Sequence, residues 1–199
     1  ITARLCLNLQ LEHPDYAILA ARILISNHQK NVSWTFSEAM QYLYHNVDTN
    51  GNPCPLVCEQ LFRFVQAHSN ELNNLIKPER DFNLDAFGFL TLERSYFLRT
   101  SDKIIRETPQ YMFLRVAIGI HLLEEPTSTC SKEEMDDYFE KITDTYELHS
   151  HQMGTHATPT LFNSGTPNAS NHSFDLLGLG DSVDGIYQGV KNCALISKY

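Results

Sequence analysis

The chain has 199 residues, of which 42% are hydrophobic, enough to bury the core of one domain. It carries 24 acidic and 15 basic residues without a basic run, for a formal net charge of −9, so direct nucleic-acid binding has no electrostatic support. No apolar stretch approaches the ~20 residues of a membrane helix, no secretory signal is recognisable and the five cysteines are scattered, so we expect an intracellular, cytoplasmic protein without membrane contact.

Helical periodicity dominates the first part of the chain. Four segments have the apolar spacing of amphipathic helices: residues 14–30, 34–47, 56–68 and 70–76. Between the second and third, residues 48–53 form a turn by composition, since an Asn-Gly pair favours positive φ.

The middle of the chain combines an ambiguous segment with two further helices. Residues 81–100 are rich in aromatic side chains and predict short extended segments around a turn at Gly88. Pro109 starts a predicted helix to about residue 121. Ser131, followed three residues later by Glu134, forms a capping box that predicts a long helix to about residue 149.

The pattern changes after residue 155. Residues 159–162 and 173–177 predict two strands separated by a polar loop, and residues 182–197 predict a helix capped by Asp181 or Ser182. The predicted fold class is therefore mostly α within an α+β arrangement, in which a helical module is followed by the start of an α/β layer.

Five blocks of sequence share one family resemblance. Residues 156–166 read His-Ala-Thr-Pro-Thr-Leu-Phe-Asn-Ser-Gly-Thr, and the other blocks are residues 13–22, 87–96, 109–112 and 193–198. In order and spacing they resemble the large subunit of eukaryotic-type class I ribonucleotide reductases. The resemblance implies three regions: residues 1–12 as a remnant of the connection to an ATP-binding cone, 13–155 as the helical N-terminal domain, and 156–199 as the first strands and helix of an incomplete ten-stranded α/β barrel.

The resemblance also implies a loss of chemistry at Ser173. The family carries Ser-Ser-Cys-Phe-Leu-Leu where residues 171–176 read Asn-His-Ser-Phe-Asp-Leu, so Ser173 occupies the position of a reducing cysteine. A serine hydroxyl cannot form or exchange a disulfide. We therefore expect no catalytic residue in this chain, and a chain that is inactive by itself.

Two nucleotide contacts follow from the same resemblance. Thr158 resembles the family's diphosphate-binding hydroxyl, and His172 stands where the family has a second serine; the alternative is an ordinary strand threonine and a surface histidine. Asp181, Ser182 and Val183 resemble the contact to a deoxynucleotide effector, with a plain helix cap as the alternative. We expect no cofactor in this chain apart from that nucleotide effector.

A metal site is not expected from the histidines near residue 150. His149 and His151 lie two positions apart, and on a helix such side chains diverge by about 200°, so they cannot share an ion with His156 while the segment is helical.

Two functions remain open at this point. The first is a large-subunit-like protein of deoxyribonucleotide synthesis, whose partners would be the small reductase subunit or a second copy of the chain. The alternative is a degenerate paralogue that acts as a structural or protein-interaction subunit of a larger assembly. Since two unpaired strands would expose apolar edges, we expect another protein chain to cover residues 155–199.

Overall fold

The computed structural model describes residues 1–32, 35–122, 131–168, 170–172 and 175–198. Within these ranges the chain forms ten α-helices and one 3-10 helix, Pro78–Asn83. The α-helices are α1 Thr2–Asn8, α2 Asp15–Asn31, α3 Phe36–Tyr44, α4 Glu59–Ala67, α5 Ser69–Leu75, α6 Ala86–Ser95, α7 Pro109–His121, α8 Lys132–Ser150, α9 Thr158–Asn163 and α10 Val183–Ile196. None of the described helices is long and apolar enough to cross a membrane.

Helix α7 is the centre of the core. Every residue from Pro109 to Ile118 is buried, because other helices cover α7 on all sides. Helices α8 and α9 pack directly on it, and α2 packs against α1 and α6 at one side of the molecule. The only charged side chain among these ten buried residues, Arg115, therefore needs partners inside the protein.

Polar side chains cap the beginnings of three helices, one of them by the predicted capping box. Ser131 and Glu134 form the predicted capping box of α8, in which the Glu134 backbone N–H donates to Ser131 Oγ over 3.3 Å. Thr35 forms a second capping box, with Glu38, at α3. The predicted bounds of α7 are confirmed, since Thr108 caps a helix that starts at Pro109.

The prediction of extended segments between residues 81 and 100 is wrong. Asp85 is an N-cap, and its Oδ1 accepts the backbone N–H of Gly88 over 2.6 Å, which starts α6 where a turn was expected. Phe89 is fully buried and Leu92, one turn later, packs against the same core. This helical spacing of buried apolar residues outweighs the preference of the aromatic residues for strands.

The predicted strand at residues 159–162 is also wrong, because these residues belong to α9. Pro159 lies in the first turn of that helix, where a backbone N–H has no helical partner to lose. Of the second predicted strand, residues 173 and 174 lie outside the described part of the chain, and residues 175–177 have no regular structure. The described residues contain no sheet, only two isolated bridges at Val47 and Arg99, so the start of a barrel is not seen in them.

The predicted helix near the end of the chain is confirmed. Ser182 caps α10, and Gly189 is its only buried residue. Several apolar side chains of α10 are exposed: Val183, Ile186, Tyr187, Val190, Leu195 and Ile196.

Candidate functional site

A cleft of about 560 Å³ lies beside the segment that resembles the reductase family. Its walls come from α6, the end of α8 and residues 152–158. The floor is apolar, with Leu92, Phe113 and Leu161 among its lining residues. Thr158 lies at its polar edge, so the structure places this predicted site residue in a concave surface.

The Thr158 hydroxyl is held by an aromatic neighbour. Thr158 Oγ1 lies 3.0 Å from the Tyr96 hydroxyl, and the Tyr96 ring stacks on Phe162 with centroids 4.7 Å apart. Thr158 is itself exposed. Because a hydroxyl can donate one hydrogen bond and accept others, Thr158 can bind a ligand oxygen without releasing Tyr96.

Two histidines form a hydrogen-bonded pair in the same cleft. His149 Nε2 lies 2.7 Å from His156 Nδ1, and the two rings meet edge to face. His149 is 2% exposed, and its Nδ1 is buried without a hydrogen-bond partner. Burial, followed by the nearby His156, lowers the pKa of His149 to about 4, so this ring is neutral at physiological pH.

The other histidine considered for a metal site points elsewhere. His151 Nε2 lies 3.0 Å from a carboxylate oxygen of Glu147. Among the described residues, no group of three or more His, Cys, Asp or Glu side chains could hold a metal ion. The sequence analysis considers these histidines only as metal ligands and does not predict the His149–His156 hydrogen bond, which forms because the chain turns back between α8 and α9.

His172 does not share the cleft with Thr158. Its side chain is 58% exposed, and its Nε2 lies 3.0 Å from Asp175 Oδ1. The loop that carries it does lie against α9, since Thr160 Oγ1 donates to the Asn171 carbonyl over 3.0 Å. Ser173, the next residue, lies outside the described part of the chain.

The three residues that resemble an effector contact lie at the start of α10. Ser182 Oγ accepts the Gly185 backbone N–H over 3.0 Å, which is the geometry of a plain helix cap. Asp181 and Val183 are exposed. None of the three lines the cleft at Thr158, so their effector role remains a prediction.

A buried arginine anchors the end of α9. Arg115 Nε lies 2.5 Å from Glu107 Oε1, and both side chains are fully buried. Arg115 also donates to the carbonyl oxygens of Ser164, over 2.7 Å, and Leu161, over 3.3 Å. It thereby neutralises Glu107 and satisfies carbonyls at the helix end that have no helical partner. The signal for this anchor in the sequence is a lone cation within an apolar helix.

Two glycines bring the segment after α9 into backbone contact with α7. A Cβ on Gly119 would lie 2.7 Å from the carbonyl carbon of Ser164 and 2.8 Å from the Cα of Gly165. Gly165 has φ +77°, a conformation that side chains disfavour, and its carbonyl accepts the Cys58 backbone N–H over 2.9 Å. The segment is therefore fixed from α4 and from α7.

The neutral His149 makes a testable contribution to acid stability. Because its folded pKa lies below the ordinary value near 6.5, its contribution is complete above pH 6.5 and is lost as the pH falls toward 4. Burial raises the pKa of Asp81 to about 6, which acts in the opposite direction, so wild type alone is uninformative. Between pH 7 and 4.5, we expect the unfolding free energy of wild type to fall by about 2 kcal/mol more than that of His149→Phe in urea titrations. If the unfolding free energies of wild type and His149→Phe changed equally with pH, this prediction would be contradicted.

Comparison with known proteins assigns the family. Residues 82–169 match the model of the ribonucleotide reductase all-alpha domain. The whole chain is 44% identical over 199 residues to the ribonucleoside-diphosphate reductase large subunit of Plasmodium falciparum (isolate Dd2), covering 23% of that protein. The large subunit of Arabidopsis thaliana is 42% identical over 188 residues, which are 94% of this chain and 21% of the relative.

A viral relative extends the same match. The ribonucleoside-diphosphate reductase large subunit of Variola virus is 42% identical over 200 aligned residues, covering 100% of this chain and 24% of the relative. The chain thus spans less than a quarter of the length of these three relatives. With identity along its full length and a family match across α6 to α9, the chain belongs to the ribonucleotide reductase large-subunit family.

Proposed function

We propose that this chain is a portion of a ribonucleoside-diphosphate reductase large subunit, in which the helical region supports a segment that contacts the diphosphate of the substrate. The observation that carries this proposal is the identity of 44% along the whole chain. The position of Thr158 at the edge of a cleft supports it further. The small reductase subunit and a second large subunit are the partners that this function implies.

Thr158 is the proposed phosphate contact of this chain. The residue is exposed, and the Tyr96 hydroxyl orients its Oγ1. Behind it, Arg115 and the contact between Gly119 and Gly165 hold α9 against the core. A hydroxyl on a fixed backbone can position a phosphate group without contributing charge.

Ser173 makes this portion incapable of supplying an electron. Reduction of the ribose requires two electrons, which in the family resemblance come from a pair of thiols, and a serine hydroxyl does not take part in thiol–disulfide exchange. We therefore propose that the chain positions a nucleotide but does not reduce it. Asp181 and Ser182 remain the proposed effector contacts.

A chimeric large subunit tests both parts of this proposal. Residues 1–199 would replace the matching region of the Plasmodium falciparum protein, with the small subunit and a dithiol supplied. We expect background turnover of a ribonucleoside diphosphate from this chimera and restored turnover from its Ser173→Cys variant, since only the variant completes the thiol pair. Thr158→Val in the active variant should raise KM about tenfold. Full turnover with Ser173 in place would refute the electron-supply argument.

A second candidate function, protein interaction without catalysis, is favoured by the exposed apolar side chains of α10. Exposed apolar surface of this kind is typical of a helix that meets another protein surface. A folded chimera that stays inactive even with Ser173→Cys would favour this second function over the first.

A further inference from the structure

The polar edge of the cleft holds two potential hydrogen-bond donors side by side. His156 and Thr158 both line the cleft, and Ala157 between them has the extended backbone angles φ −63° and ψ 157°. The shared cleft, and not a strand repeat, brings the two side chains to one surface, since Thr158 is already the first residue of α9. The imidazole and the hydroxyl therefore face the same volume.

The hydrogen bond to His149 determines which nitrogen of His156 carries a proton. Of the two nitrogens 2.7 Å apart, one donates and the other accepts. If His156 donated, His149 would keep its proton on Nδ1, which is buried without a partner. An orphaned buried donor is rarer than an under-satisfied acceptor, so His149 Nε2–H is the donor. A neutral His156 then carries its proton on Nε2.

No carboxylate among the described lining residues of the cleft would repel an anion. The chain has 24 acidic residues, yet none of the described residues that line this cleft is Asp or Glu. His156 is half-buried and Thr158 is exposed, so a charged ligand at this edge keeps part of its hydration. Two donors on one cleft wall without a competing carboxylate fit the oxygens of a phosphate group.

We propose that His156 is a phosphate-binding residue that donates Nε2–H to the same diphosphate as Thr158, and that His149 is a positioning residue that fixes the tautomer of His156. This inference rests on the proposed function, because the ligand is the diphosphate of the nucleotide substrate. It adds a second recognition group to the site and explains why a neutral histidine is buried behind it.

Nitrogen-15 NMR of the histidine-labelled chain at pH 7.5, titrated with inorganic pyrophosphate, tests the proposal. We expect both His149 and His156 in the Nε2–H form, and a shift of the His156 signal on titration. His156→Phe should weaken pyrophosphate binding about tenfold, because a donor to a charged group is lost. His156→Gln, whose amide places a donor near the original Nε2, should stay within about threefold of wild type.

Two further variants separate positioning from general damage. His149→Phe should broaden or change the tautomer signature of His156 and weaken binding about threefold, because the ring loses its orienting donor. His151→Phe is the matched control, since His151 pairs with Glu147 and does not line the cleft, and it should leave both readouts unchanged.

The outcomes also separate this inference from the proposed function. If Thr158→Val weakens pyrophosphate binding while His156→Phe does not, or if His156 carries its proton on Nδ1, the phosphate contact at Thr158 stands and the role of His156 is refuted. If neither variant changes the binding of pyrophosphate, or if none binds, the phosphate site itself is refuted.

Discussion

Replacing Gly119 with alanine should lower the free energy of unfolding by about 3 kcal/mol, although the same change inside a helix ordinarily stabilises by about 1 kcal/mol. The added methyl group would meet the backbone of Ser164 and Gly165, not the end of a flexible side chain. Backbone atoms can move aside only if α9 and the segment after it shift away from α7. The overlap therefore outweighs the gain in helix propensity.

Urea unfolding followed by circular dichroism measures the Gly119 effect. Gly178→Ala is the matched control, since a Cβ at that position meets nothing within 4 Å, and it should change stability by less than about 1 kcal/mol. A Gly119→Ala variant as stable as wild type would mean that α7 and residues 164–165 do not approach as closely as described.

Replacing Arg115 with methionine should cost about 3 to 5 kcal/mol, because it leaves Glu107 charged and buried without its partner. It also leaves the carbonyls of Leu161 and Ser164 without a donor. Methionine fills most of the same volume. The loss in unfolding free energy therefore comes mainly from the missing charge and hydrogen bonds, and only to a small extent from a cavity. Thermal and urea unfolding at pH 7 measure the difference.

Two comparisons isolate the buried ion pair. Arg63→Met removes the exposed partner of Glu59 and should cost less than about 1 kcal/mol, since water already solvates both groups. The double variant Arg115→Met, Glu107→Gln should recover about 1 to 2 kcal/mol relative to the single change, because no unpaired charge stays buried. Equal losses for Arg63→Met and Arg115→Met would contradict the burial of the pair.

The helices that sequence predicts best are those whose signals are local. Pro109 and the Ser131–Glu134 capping box set the beginnings of α7 and α8 from within a few residues. Apolar spacing predicts α2 and α4 to within a few residues of their observed bounds, because each buries a single face.

The two errors have a common physical origin. Residues 81–100 contain five aromatic side chains, and residues 158–163 contain one phenylalanine and two threonines. Such side chains favour strands when no tertiary contact competes. Asp85 decides the first case by capping α6, and Arg115 decides the second by binding the carbonyls at the end of α9. The second contact joins residues almost fifty positions apart, which no local pattern contains.

The candidate site was predictable only in part. Thr158 is predictable because it lies in the block of residues 156–166 that resembles the reductase family, and the structure places it in a cleft. The pairing of His149 with His156 and the contact of Thr158 with Tyr96 depend on how α6, α8 and α9 meet. The residue type shows that a histidine can donate or accept a hydrogen bond. Which of its two ring nitrogens carries the proton depends on a neighbouring side chain from another element.

The anchor of α9 has a consequence for the order of events during synthesis. Arg115 and Glu107 leave the ribosome well before Leu161 and Ser164, whose carbonyls complete the buried network. Until those later residues emerge, the backbone contact at Gly119 is missing and Arg115 lacks two of its acceptors. The core around Arg115 therefore cannot close until residues 161–165 have been synthesised. Folding of this region is thus coupled to synthesis of the segment that carries Thr158.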